Sequence, residues 1–330
     1  MDRYNTFKIG EDKKSVSRTT CIVERNPRER LNVLTNVMNN SGIPLRDTLF
    51  INSERKWINQ LGLQSIEKDN KSLFDWYSFA EADYLDDGMR IKMLSSIQPQ
   101  LLSLMVGDGI NQMTFKTYMR NVAKVVFMWK GSDLLDFINA LLDANKVIEY
   151  IDRMPDILAN KYREDIFYLR NVIKGIEKDQ FVTSCIQSIQ NRYSEIKDFN
   201  TGNRIDLSSF DSPLNIDLIS TDNTLRLDYT YIFNKLYIYN TARIILKKRS
   251  PIMVVINNAD RINLVDKEFI QLITSSMLYN MKLILLCDNM DNLSYFRYVL
   301  NNYYVEYIVN SYYIDDIETI KLFKDSIESG

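Results

Sequence analysis

Short runs of aliphatic and β-branched residues recur near both ends of the chain, each bounded by polar or turn residues: TCIVE at 20–24, TLFIN at 48–52, LNIDLIS at 214–220, IMVVIN at 252–257, LILLC at 283–287 and VEYIVN at 305–310. Runs of this length and composition predict strands, and their near-continuous apolar character predicts burial on both faces. Between most of them the apolar spacing becomes helical. Leu31, Leu34, Val37 and Met38 share one helical face, as do Ile232, Leu236 and Tyr239, and Phe269, Leu272, Ile273 and Met277. Strand and helix in alternation imply a mostly parallel sheet with helices on both sides, an α/β fold.

The middle of the chain follows a different period. From about Trp76 to Tyr193 no segment reads as a strand, whereas FKTYMRNVAKVVFMW, DLLDFINALLDANKVIEYID, DIFYLRNVIKGIEK and FVTSCIQSIQNRYSEI all have helical spacing. Breaks are expected at Gly107 to Gly109, Gly131, Pro155 and Gly175. The predicted organisation is a discontinuous α/β domain over 1–74 and 201–330, with an all-α domain over 75–200 inserted after the second strand.

Composition narrows the chemistry. With 45% apolar and 25% charged residues over 330 positions, the chain can bury a sizeable core without staples. There is no histidine, which removes the commonest general base, the Ser-His and Cys-His pairs, and most zinc and iron sites. Cys21, Cys185 and Cys287 are far apart in sequence and odd in number, so they read as small core residues in a reducing, cytoplasmic setting. A net charge of -2 gives no global attraction to nucleic acid. The first residues are polar and mixed in charge, and runs such as VVFMW and IMVVI fall far short of the ~20 apolar residues that cross a bilayer, so no membrane insertion is expected.

One strand-to-helix junction has the layout of a phosphate site. A P-loop places G-x-x-x-x-G-K-[ST] between a strand and a helix because glycines let backbone N–H groups surround phosphate, while lysine and the hydroxyl supply charge and a magnesium ligand. The matching place here reads Glu24, Arg25, Asn26, Pro27, Arg28, Glu29, Arg30, Leu31. Both glycines are glutamates, the lysine is Arg30 and the hydroxyl is Leu31. A carboxylate 4 Å from a phosphate charge repels it by about 1 kcal/mol in water-like surroundings and about 4 kcal/mol where partly buried. A phosphoryl-transfer site also needs a buried strand ending in acidic residues to hold magnesium and orient water. The strand IMVVIN ends in Asn257 and Asn258, amides that neither offset a metal's charge nor take a proton.

This order of elements resembles the TraG/TraD-like coupling ATPases of type IV secretion and conjugation, within the HerA-FtsK superfamily of P-loop NTPases. LSSFDSPLNIDLISTDNTLRLDYTYIFNKLYIYN with ARIILKKRSPIMVVINNADRIN looks like that family's approach to its acidic strand, and LITSSMLYNMKLILLCDNMDNL looks like the helix and sensor strand after it. NNYYVEYIVNSYYIDDIETIKLF looks like the final strand and helix, and LFDWYSFAEADYLDDG like the opening of the helical domain. The resemblance implies a RecA-like P-loop NTPase sheet with a large all-α insertion. It places Glu24, Glu29, Arg30 and Leu31 in the phosphate loop, Asn257 and Asn258 at the metal and water positions, and Asp288 where a sensor glutamine stands. All depart from the family pattern. The family's amino-terminal membrane helices have no counterpart in these residues, in keeping with the absence of an expected membrane insertion.

Other features have plainer readings. Asp83, and Asp86 and Asp87 of YLDDG, are expected in a solvated turn or helix end rather than around a metal. Arg243, Lys247, Lys248 and Arg249 are expected as a charged C-terminal turn answering a helix dipole. Tyrosines at 229, 231, 237, 239, 303, 304, 307, 312 and 313, and Trp57, Trp76 and Trp129, are expected mainly as core or half-buried anchors.

The expectation is therefore a pseudo-ATPase with no nucleotide or metal cofactor. It would act as a protein-binding scaffold in a secretion, conjugation, DNA-packaging or viral assembly, with an intact homologous ATPase or other assembly components as partners. The alternatives are an active divergent NTPase, with Arg30 on the phosphates and Asp260 or Asp288 as the carboxylate, and a nucleic-acid-binding module, which ranks last.

Overall fold

The computed structural model describes residues 4–9, 19–52, 64–67, 77–107, 113–176, 180–196, 204–209, 213–217, 222–246, 250–259, 270, 272, 279–288 and 305–310. The chain divides into two compact units, one made of Met1–Asn70 with Ser209–Gly330 and the other of Lys71–Ser208.

The first unit is a mixed α/β structure of the kind expected for a RecA-like domain. Its strands are β1 (Tyr4–Ile9), β2 (Thr19–Val23), β3 (Thr48–Asn52), β4 (Gln64–Glu67), β5 (Leu214–Asp217), β6 (Ile252–Ile256), β7 (Met281–Cys287) and β8 (Val305–Asn310). They form one sheet in the order β1-β8-β2-β7-β6-β3-β5-β4. Among the described strands only β1 with β8 pairs antiparallel, and every other pair is parallel. All five residues of β2 and of β6 are buried, as strands covered on both faces must be.

Helix α1 (Pro27–Ser41) follows β2. Its start is fixed by Asn26 as N-cap and Pro27 at the first turn, and its end by Gly42, whose φ of 68° is the left-handed conformation that glycine adopts without strain. Val33 and Leu34 pack on Ile22, Phe50, Met253, Val255, Ile284 and Leu286, with Leu31, Val37 and Met38 at the margin of the same cluster. Leu34→Ala would thus open a cavity worth ~2–5 kcal/mol. The alternate residues of β2 and β7 point to the opposite face, where the Sγ atoms of Cys21 and Cys287 lie 3.8 Å apart as free, buried thiols.

The described elements of the second unit are helical: α2 (Asp87–Val106), α3 (Met113–Val126), α4 (Leu134–Leu142), α5 (Ala144–Asp152), α6 (Asp156–Lys161), α7 (Arg163–Ile176) and α8 (Gln180–Ile196), with 3-10 turns at Ala80–Tyr84 and Leu207–Ser209. The run DLLDFINALLDANKVIEYID is two helices, because Asp143 ends α4 and its carboxylate caps α5 through the Asn145 N–H. Gly175 does not break the chain as expected, since α7 runs through it and glycine in a last turn costs little. Polar contacts join the two chain ends of this unit: Arg204 to Asp83 at 2.7 Å, the Ile205 N–H to Ser78 Oγ at 3.0 Å, and the Leu207 N–H to the buried Glu81 carboxylate at 2.6 Å.

Two strands lie where the sequence carried no apolar alternation, β1 in the polar amino-terminal stretch and β4 at 64–67. Sheet pairing overrode weak local preference in both. Helix α9 (Asp222–Ile245) continues the first unit and is buried nearly all round from Leu227 to Arg243.

Candidate functional site

Parallel strands direct their carboxyl ends to one edge of the sheet, the usual place for ligands in open α/β folds. Register sets which residues meet there. Val23 of β2 pairs with Cys287 of β7 and with Val309 of β8, so the next residues, Glu24, Asp288 and Asn310, lie side by side. On the far side of β7, β6 pairs with β3, and Asn257 follows β6 where Asn52 ends β3.

Two networks close this edge. In the first, Glu24 is only 1% exposed and accepts three hydrogen bonds: from the Asn26 N–H at 2.8 Å, the Tyr4 hydroxyl at 2.8 Å and the Asn310 amide at 2.5 Å. Its own N–H donates to the Cys287 carbonyl at 3.0 Å. In the second, the Arg30 guanidinium, 2% exposed, pairs with Asp288 at 2.5 Å and donates to Asn258 Oδ1 at 3.4 Å. Asn258 holds φ of 53°, a left-handed conformation that asparagine tolerates better than most residues. The adjacent Asn257 donates to Asn52 Oδ1 at 2.9 Å, while its own Oδ1, buried, has no hydrogen-bond partner among the described residues.

The loop itself is also occupied. At a helix N-terminus the first N–H groups are free donors that can take an anion. Here Asn26 Oδ1 accepts the N–H groups of Arg28 at 3.0 Å and Glu29 at 3.4 Å, and Pro27 has none to offer. The side chain of the loop's own asparagine holds the position a phosphate oxygen would need.

Of the candidates singled out in the sequence, Glu24, Arg30, Asn257, Asn258 and Asp288 converge on this edge. Arg25, Asn26, Pro27 and Arg28 are exposed in the loop. Glu29 is partly exposed and lines a surface groove with Asn32 and Asn36, and Leu31 packs at the core margin. Asp260 lies outside the described residues, as do Lys247, Lys248, Arg249, Trp57, Trp76 and the tyrosines at 303, 304, 312 and 313.

Tyr4, Asn52 and Asn310 complete the networks without having been expected there. For the asparagines a signal existed: TLFIN, IMVVIN and VEYIVN each end an apolar strand in Asn. For Tyr4 there was none, because its place depends on β1 pairing with a strand some three hundred residues away.

Elsewhere the acidic turn has structural duties. Asp86 caps α2 through the Met89 N–H, Asp87 pairs with Arg90, and Asp83 holds Arg204 and the Gly131 N–H. Arg243 lies in the last turn of α9, as expected of a cation answering the helix dipole. It is buried, donates to Asn240 and to the Ser250 carbonyl, and burial pushes its pKa below the ordinary arginine value. It ties the end of α9 to the chain entering β6 through the Ser250 carbonyl. Tyr229, Tyr231 and Tyr307 are buried as expected of core anchors.

Among the described residues, no helix is long and apolar enough to cross a membrane. No protein-family model matches the sequence, and no curated protein matches it either. Among solved structures the chain is similar to VirB4 of Thermoanaerobacter pseudethanolicus, with 16% sequence identity and a TM-score of 0.49, over 89% of this chain and 80% of that one.

Proposed function

We propose that this chain is a catalytically inactive relative of the P-loop ATPases that serves as a protein-binding scaffold in a secretion, conjugation, DNA-packaging or viral assembly. The observation that carries the reading is the buried Arg30, committed to Asp288 and Asn258 where a phosphate-binding cation would have to be available. A triphosphate would have to displace Asp288, take Arg30 for itself, and approach a loop whose helix N-terminus is capped by Asn26 and whose strand end carries the buried Glu24. The resemblance of element order to TraG/TraD-like coupling ATPases supports the choice of ancestry and of host process. In this reading Lys71–Ser208 is the inserted helical domain, its entry and exit held together by Glu81, Asp83 and Arg204 so that it can sit within another domain.

Two measurements on the purified chain test the inactivity. Turnover of magnesium-ATP should equal the background of a buffer blank. A ligand bound only to the folded state at 100 times its Kd adds about 2.7 kcal/mol of stability, a shift readily seen in a melting curve, and neither ATP nor ADP with magnesium should produce one. Turnover that vanishes in Arg30→Ala would overturn the proposal.

A further inference from the structure

Helices α2 and α3 follow one another in the chain and pack together, and between their exposed faces lies a groove of about 450 Å³. Its floor is apolar, formed by Pro99 and the buried Met119, with the exposed Met113 also in the lining. Its α3 wall carries Lys116 and Arg120, four residues and so about 6 Å apart along the axis. Both are exposed, and Arg120 makes no ion pair among the described residues. None of the described residues lining the groove is acidic.

The α2 wall has an uncommon backbone. Pro99 sits inside the helix and has no N–H, so the Ser95 carbonyl loses its donor four residues on. Ser95 and Pro99 both line the groove, and Ser103 Oγ donates to the Pro99 carbonyl at 2.8 Å one turn later. The groove thus offers cations on one side, an acceptor on the other and an apolar floor between.

We infer that this groove is a docking site for an amphipathic, acidic helical segment of a partner protein, with two carboxylates one turn apart meeting Lys116 and Arg120 and an apolar face against Met113, Met119 and Pro99. The inference rests on the scaffold reading and names the chemistry of what the scaffold holds. Two cations over an apolar floor suit a short acidic helix laid in a groove. A nucleic acid strand would need a longer track of cations and bases stacked on aromatic rings, and no aromatic residue lines the groove among those described.

The test uses the full chain and three fluorescent probes: a 14-residue helical peptide with leucines on one face and glutamates at two positions four apart, its glutamine twin, and a 14-nucleotide single-stranded DNA. Fluorescence anisotropy should show the glutamate peptide binding at least tenfold more tightly than its twin. Lys116→Glu with Arg120→Glu should abolish that preference and instead favour a peptide with lysines in place of the glutamates. Both residues are exposed, so unchanged circular dichroism and melting temperature will show that the variant is folded. Equal binding of the two peptides, survival of the preference in the double variant, or tighter binding of the DNA that the same variant removes would each overturn the inference. ATP turnover would sink the inactive reading while leaving these outcomes unmoved, so the two failures are separable.

Discussion

The carboxyl edge of the sheet and the groove between α2 and α3 both gather charged side chains, yet they have opposite chemistry. At the sheet edge Glu24 and Arg30 are buried and already matched: Glu24 by donors from Asn26, Tyr4 and Asn310, Arg30 by Asp288 and Asn258. In the groove the cations are exposed and the described lining holds no carboxylate. Buried matched charges hold a structure in one arrangement and leave little for a ligand, whereas exposed ones cost little to carry and can be reached from solvent. The place with the layout of a nucleotide pocket holds its Arg30 cation against Asp288 and Asn258.

Stability measurements can break this comparison. The largest effect is expected at Glu24. Glu24→Ala would strand the Tyr4 hydroxyl, the Asn310 amide and the Asn26 N–H, and should cost on the order of 3 kcal/mol by urea denaturation, with Glu24→Gln costing less because it keeps an acceptor in place. An alanine variant as stable as the parent would show that this network holds nothing.

Next comes Arg30→Ala, expected to cost about 2 kcal/mol, less than a fully buried pair because Asp288 is 39% exposed and recovers water. A double-mutant cycle with Asp288→Ala should return a coupling of about 1 kcal/mol, and zero coupling would mean that the two side chains act independently.

A smaller, pH-dependent effect is expected at Asp133, the N-cap of α4, whose pKa is raised by burial first and by the neighbouring Asp136 second. The folded state therefore holds this proton more tightly than the unfolded state does. Its stabilising contribution is present below the ordinary aspartate value of 3.8 and is lost as pH rises through the higher folded value. Asp133→Asn keeps the capping oxygen and removes the titration, so it should be more stable than the parent near neutral pH by about 1 kcal/mol or less, with the gap closing in acid. A gap that stays constant with pH would refute the assignment.

The smallest effect sharpens the contrast. Lys116→Glu with Arg120→Glu should change stability by no more than about 0.5 kcal/mol, since substitutions of exposed side chains rarely matter to folding. A loss comparable to that of Glu24→Ala would mean that the groove's cations are part of the fold rather than a surface held for a partner.

Much of the fold was legible in the sequence because burial on both faces leaves a dense apolar signature. The runs that became β2, β3, β5, β6, β7 and β8 all stood out, and α1 was marked by the helical spacing of Leu31, Leu34, Val37 and Met38. β1 and β4 were not legible, since an edge strand needs little apolar character and takes its place from the neighbour it pairs with. The place of Arg243 in a last helical turn was legible, but its burial was not, because the Ser250 carbonyl it reaches is brought there by the chain folding back.

The sequence by itself determined that glycines, lysine and acidic residues are missing from the places where a phosphate site needs them, because those chemical requirements attach to residue types. Only the tertiary structure decided what stands there instead. Arg30 met Asp288, and Glu24 met Tyr4 and Asn310, through the register of strands that are neighbours in the sheet but hundreds of residues apart in the chain, and long-range pairing of that kind leaves no local trace.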